Sequence, residues 1–202
     1  MELIQQSADL SAYLASDEAI NHEHPTVRTT AATLRAAHPD AYSYTRAAYE
    51  FVRDTIPHSH DVDDLRVTWR ASDVLDKRTG ICHAKSHALA ALLRAESIPT
   101  AFCYQRLTLG DSPEAGYAVH GLIAVHLEGA WHRQDPRGNR PGLGAEFSTA
   151  GERLEWIPRE TLAERDYPTL YDTPHPAVLA ALRSAPDRPS LWRTLPEALR
   201  AL

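Results

Sequence analysis

Apolar positions between Thr26 and Ala37, and again between Asp40 and Ile56, recur at steps of three and four residues. That spacing predicts two amphipathic helices, the first led by Pro25 and the second, carrying Tyr44, Ala47, Ala48, Phe51 and Val52, stopped by Pro57. Periodicity then disappears. Residues 56–69 carry His58, His60, Asp61, Asp63 and Asp64 and read as a polar connection, the kind of loop that often lines a site. Ser72 and Asp73 before Val74 and Leu75 predict a capped short helix ending at Lys77 and Arg78, with Gly80 as its stop. A further helix is predicted over 82–96, where alanines and leucines fall at helical spacing.

Past Ile98 and Pro99 the pattern changes period. Residues 100–109, 117–127 and 130–136 are rich in Val, Ile, Tyr, Thr and Phe and predict an antiparallel sheet, with Gly110 to Gly116 as one connection and Glu128-Gly129 as a two-residue turn. Arg137 to Gly144 leaves the sheet. One more extended piece is expected around Trp156, then a short helix over 177–183 after Pro174 and Pro176, and a last segment, 186–202, helical only near its end. Helices followed by strands predict an α+β layer arrangement, and no internal repeat is present. We expect an N-terminal extension at 1–25, one domain at 26–158 and a C-terminal extension at 159–202 packed on it.

The chain's 202 residues, 43% of them hydrophobic, suffice for one well-buried core. Twenty-one Lys and Arg against 27 Asp and Glu give a formal charge of -6 with no basic run, which argues against nucleic acid as a partner. No apolar stretch reaches membrane-spanning length, and the first sixteen residues lack the basic-then-apolar order of a signal peptide. Two cysteines do not make a disulfide framework. The expectation is a soluble, cytoplasmic protein whose thiols are reduced.

Cys82 changes the picture most. A thiol in the first turn of a helix faces unpaired backbone N–H groups and the positive end of the helix dipole, so its thiolate is favoured. His120, on a predicted strand, and Asp135, near the end of the next, are the residue types such a nucleophile needs as base and orienter. If Glu128 and Gly129 form the turn, Leu127 faces Ala130 and Leu122 faces Asp135, so His120 is a diagonal neighbour of Asp135 on one face. The helix of Cys82 is then expected to lie across the face that holds His120. Acyl transfer is the corresponding chemistry: attack by Cys82, protonation of the leaving amine by His120, and passage of the thioester to water or to an amine. The backbone N–H of Cys82 is the expected oxyanion donor, with a side chain from the preceding loop, Trp69 or His60, as a second. His83, Tyr104 and Gln105 are further candidates for lining the cleft, packing being the other reading; His126 is open in the same way.

These residues resemble a known family. Thr79-Gly80-Ile81-Cys82 with its helix and Ile98-Pro99-Thr100, then Val119-His120-Gly121, then Trp131 to Pro136 as a Trp-x-x-x-Asp-Pro segment, are similar in order and spacing to the core motifs of transglutaminase-like proteins. The resemblance spans about residues 40 to 140 and implies a papain-like fold with a Cys82, His120, Asp135 triad and no cofactor. The family commonly has His-Ala-Trp where this chain has His120-Gly121-Leu122. A cysteine peptidase or amidase acting on a peptide, protein or amide substrate is the expected activity; cross-linking to an amine, or a non-enzymatic scaffold of the same fold, are the alternatives.

Cys103, between Phe102 and Tyr104 on a strand, reads as core filling, as does Trp131. Eleven histidines raise a metal reading, with His83 and His87 four apart on one helix and His22, His24, His58 and His60 elsewhere. No glutamate stands between His83 and His87 as in a zinc protease, and the expectation is no metal.

Overall fold

A computed structural model of the chain describes residues 1–138 and 144–200. The two leading helices form as their caps dictate. In α1 (Pro25–Ala37) proline occupies the first turn and the His24 ring accepts from the Thr26 N–H; in α2 (Ala41–Thr55) the Asp40 carboxylate accepts from the Ser43 N–H at 2.9 Å. Ile56 is extended, as a residue before proline must be, and α2 ends there.

The short helix α3 (Ala71–Lys77) departs from its expected ends. Arg70 is its N-cap without a side-chain bond, so Ser72 and Asp73 lie inside the first turn. Arg78 itself takes the left-handed conformation and closes the C-terminus on the Val74 carbonyl. Gly80 is therefore not the stop: it bridges His58 and lies so close to Ala84 that a Cβ would stand 2.9 Å from the Ala84 methyl.

Helix α4 (Cys82–Ala95) follows and is buried on every side from Cys82 to Arg94. Its small residues, Ala84, Ala88, Ala90 and Ala91, let α1, α2, α3 and the sheet approach it together. Its polar side chains reach main-chain carbonyls on those neighbours: Lys85 Nζ donates to the Arg53 and Ile56 carbonyls, Ser86 to Gly121, and Arg94 to Ala15, Thr100 and Asp172. Burial of these groups is tolerated because each is bonded.

The strands β2 (Thr100–Thr108), β3 (Tyr117–Leu127) and β4 (Ala130–Gln134) form antiparallel hairpins, and β5 (Arg165–Asp166) completes the order β4-β3-β2-β5. Glu128 and Gly129 both have positive φ, 52° and 82°, as a two-residue turn of the I′ type requires, and Leu127 pairs with Ala130. Ile4 and Gln5 (β1) pair in parallel with Thr169 and Leu170 (β6), which ties the chain's beginning to its late part. Two helices close the chain, α5 (Pro176–Ser184) and α6 (Arg188–Thr194).

Three expectations change here. Trp156 lies in no strand; the extended pieces are β5 and β6. The last segment is helical near its start, where Asp187 caps Ser190 at 2.7 Å, and not near its end. Finally, α4 packs on the face of Val119, Ile123 and Val125, whereas Leu122 and Ala124 belong to the opposite cluster with Tyr13 and Cys103. By alternation His120 belongs to the face away from α4. It meets Cys82 because Cys82 stands at the helix end, beside Gly121. The expected loop over 137–144 falls largely on 139–143, outside the described residues.

Candidate active site

Ile81 is the N-cap of α4 and has no side chain able to accept, so the first-turn N–H groups around Cys82 are left without a capping bond. The hairpin register places Ile123 opposite Gln134, hence Leu122 opposite Asp135, and His120 Nε2 meets Asp135 Oδ2 at 2.8 Å. The other ring nitrogen is left for the Cys82 thiol, whose protonation is tied electrostatically to that of His120. The second carboxylate oxygen of Asp135 accepts the Arg137 N–H at 3.1 Å, and the Tyr49 hydroxyl holds the Asp135 carbonyl at 3.0 Å. Cys82 and His120 are 8% and 7% exposed and Asp135 not at all, so the three interact through little water.

Charge follows from that placement. Burial pushes the Cys82 thiol up, but the His120 charge, its hydrogen bond and the Gly121 N–H outweigh it and leave the thiol below its ordinary value. Burial pulls His120 down, while Asp135 and Cys82 together raise it to about 10. Asp135 is pushed up by burial and brought below the ordinary carboxylate range by His120. The resting form these directions favour is a thiolate, an imidazolium and a carboxylate in a row. Cys103, in contrast, is driven by burial to about 12 and stays a thiol.

A cleft of about 650 Å³ opens over Cys82, His120 and His58. One wall is the β2–β3 connection around Leu109; another is Trp156 and Ile157; Trp192 and Leu195 of the C-terminal segment form a third. Arg188 fastens that segment to the polar loop, donating to the Asp64 carbonyl at 3.0 Å, to Asp63 and to His60 Nδ1. Of the suggested lining residues only His60 reaches the cleft, 5.8 Å from the Trp192 ring. Trp69 is sandwiched between the Arg70 and Arg183 guanidinium groups, its carbonyl holding His87. The other three are corrected likewise. His83 is buried over Gly121, Tyr104 is buried with its hydroxyl accepting the His175 N–H, and Gln105, on the sheet face of His120, is buried with its amide on Asp166 and the Trp156 carbonyl. Each points into packing because its strand or helix face is the one covered by a neighbouring layer.

Arg137 and the C-terminal wall were not singled out by the sequence, and His58 was named only as part of the polar loop and of the metal reading. His58 sits in the polar loop that drew attention, pinned to Gly80 by a parallel bridge. Arg137 forms a two-pronged ion pair with Asp61 at 2.7 and 2.8 Å. Among the described residues no group of three His, Cys, Asp or Glu side chains is placed to hold a metal; His83 and His87 bond the Val119 and Trp69 carbonyls. Nor, among the described residues, is any helix long and apolar enough to cross a membrane.

The family profile described as the transglutaminase-like superfamily matches residues 28–136. Among solved structures, a protein of Cytophaga hutchinsonii described as a candidate cysteine protease shares 18% identity over 65% of this chain and 43% of its own, with a TM-score of 0.53. The periplasmic domain of TgpA from Pseudomonas aeruginosa is 22% identical over 64% of this chain and 48% of its own, with a TM-score of 0.45. The chain thus spans under half the length of both. No curated protein matches it in sequence.

Proposed function

Because the chain belongs to the transglutaminase-like superfamily and has its papain-like α+β core, we propose that it is a cysteine enzyme that transfers an acyl group through a thioester on Cys82. The observation that carries this reading is the convergence of the Cys82 thiol and the His120 ring on one cleft, with the ring bonded to the Asp135 carboxylate at 2.8 Å. An inert scaffold has no use for a buried thiolate and imidazolium, whose desolvation costs stability.

The steps follow from the geometry. The Cys82 thiolate attacks the carbonyl carbon of a peptide or amide at the cleft floor, and the oxyanion forms at the uncapped start of α4, where backbone N–H groups and the helix dipole favour it. His120, protonated at rest, gives its proton to the departing amine. Asp135 keeps the ring oriented through Nε2 and stabilises its charge. His120, now neutral, takes a proton from water as water attacks the thioester, and the acid leaves. Hydrolysis is the outcome we favour because the cleft is open to solvent and water needs no site of its own. A reduced compartment such as the cytoplasm belongs to the same proposal, since the mechanism needs a free thiol.

A panel of peptide and amide substrates, run with and without a primary amine and followed by mass spectrometry, tests the reading. The expected result is an acyl adduct on Cys82 that decays to the free acid. An adduct that passes to the amine instead establishes cross-linking, and wild-type turnover by Cys82→Ala refutes the thioester.

A further inference from the structure

We propose that His58 is a catalytic residue of this site, a neutral imidazole whose Nε2–H completes the oxyanion hole alongside the backbone N–H groups at the start of α4. The inference rests on the acyl-transfer reading and extends it to a residue that neither the family match nor the three-residue core assigns.

Placement comes first. His58 pairs with Gly80, two residues before Cys82, through a parallel bridge, and Ser59 N–H donates to the Gly80 carbonyl at 3.0 Å. The backbone of His58 is therefore fixed against the strand of chain that delivers the nucleophile. His58 is 5% exposed and lines the cleft together with Cys82 and His120. The tautomer follows from its bonds. Nδ1 accepts the His60 N–H at 3.3 Å, so in the neutral ring the proton resides on Nε2, a donor with no hydrogen-bond partner among the described residues. Burial, followed by the Arg137 charge, holds His58 well below the ordinary imidazole value, so the ring stays neutral near pH 7. A neutral donor is suited to an oxyanion, because it cannot compete with His120 as the acid.

The other charged and imidazole groups on the wall are committed. Arg137 spends both terminal nitrogens on Asp61 and the Gly138 carbonyl, and Arg159 is held by Glu164 and Asp111. His60 accepts from Arg188. His120 is the base. The ring of His58 is left with a free donor and is held from its other nitrogen by the His60 N–H.

Two reactions of the same sulfur separate this role from a structural one. Acylation by p-nitrophenyl acetate forms a C–S bond at the carbonyl carbon, passes through an oxyanion, expels p-nitrophenolate and ends with water releasing acetate. Alkylation by iodoacetamide displaces iodide at a saturated carbon and forms no oxyanion. His58→Ala and His58→Phe are expected to slow acylation by ~10² to 10³-fold, the loss typical of one oxyanion donor, with alkylation at pH 7 within threefold of wild type. His58→Gln, which restores an N–H donor, recovers part of the loss. Equal loss in both reactions assigns His58 to packing around Cys82 and overturns the proposal, as does unimpaired acylation by His58→Ala. Cys82→Ala distinguishes the levels: if it acylates like wild type the thioester reading fails and His58 with it, whereas an inert Cys82→Ala beside an unimpaired His58→Ala removes His58 alone.

Discussion

Replacing Gly121 by alanine should destabilise the protein severely, through a contact that no alternative backbone shape relieves. A Cβ built on Gly121 stands 2.2 Å from His83 Nδ1, 2.9 Å from Cε1 and 3.0 Å from Cγ, against the 3.4 Å and more of an ordinary contact. The ring must therefore retreat by about 1.2 Å, the difference between 3.4 and 2.2 Å. It has nowhere to go. His83 is 1% exposed, its Nε2 is held by the Val119 carbonyl at 2.9 Å, and Tyr104 packs 6.0 Å from its centroid. Overpacking of a tight core costs ~1 to 3 kcal/mol, and displacing the ring also strains a buried hydrogen bond worth ~1 kcal/mol. We expect a loss near 3 kcal/mol, or a melting temperature lower by ~6 to 12 °C for a chain of this size. Chemical denaturation followed by circular dichroism gives the number. The companion variant His83→Ala empties the space, so the double variant Gly121→Ala, His83→Ala should be more stable than the sum of the single losses by ~2 kcal/mol. A Gly121→Ala protein within 1 kcal/mol of wild type, or additive losses, refutes the steric argument. The same clash accounts for the glycine after His120: in this chain a histidine beside the nucleophile occupies the place a methyl would take.

Three further outcomes are expected. Iodoacetamide at pH 6.5 should label Cys82 and leave Cys103 untouched in the folded protein, because the first is held below and the second, at about 12, far above the ordinary thiol value; peptide mapping showing equal labelling refutes the ion pair. Asp135→Asn removes the largest influence raising His120, so histidine NMR should show its titration falling from about 10 toward the ordinary range, with turnover reduced ~10⁴-fold but not abolished; an unmoved titration contradicts the assigned coupling. Lys85, fully buried, is pulled by burial from 10.5 to about 7. Between those values the unfolded chain binds a proton that the folded protein lacks, so stability should rise with pH by up to ~1.4 kcal/mol per unit from this group. His120 acts in the opposite sense, its contribution being lost as pH rises through about 10, but the lowered Cys82 thiol offsets it, since the pair passes one proton between its members. Lys85→Met should therefore flatten the rise between pH 7 and 9.5 in denaturation midpoints; an unchanged slope sinks the assignment.

The hairpin was legible because its determinants are local. Glu128-Gly129 sets the turn, the turn sets the register, and the register brings His120 to Asp135 by counting alone. The start of α4 was legible for the same reason. Its surroundings were not: His83, Lys85, His87 and Arg94 have the look of solvated side chains, yet their partners are carbonyls at Val119, Ile56, Trp69 and Ala15, which no spacing rule connects to them. Which sheet face receives α4 likewise depended on His83 lying over Gly121, a contact between distant segments. The helix after Asp187 carried a usable signal, an N-cap aspartate two residues before Pro189. Trp156 and Ile157 have strand-like side chains, but they serve as a wall of the cleft and have no strand to pair with.

Local rules are broken most densely around Cys82, and the breaks support one another. Ile81 caps nothing and leaves donors unspent at the head of α4; in exchange its side chain belongs to the core and anchors that helix end. Gly121 interrupts a strand, where glycine weakens pairing, and so lets His83 settle and leaves its own N–H at the sulfur. His120, Cys82 and Asp135 are charged where burial opposes charge. Each feature alone is a loss of order 1 kcal/mol or more, and a chain under selection for stability alone would replace them one at a time. Their concentration within one helix turn and one strand pair is instead what an enzyme requires: a preorganised site whose donors and charges are arranged before the substrate arrives, held by the bonded Lys85 and Ser86 of α4 beneath it.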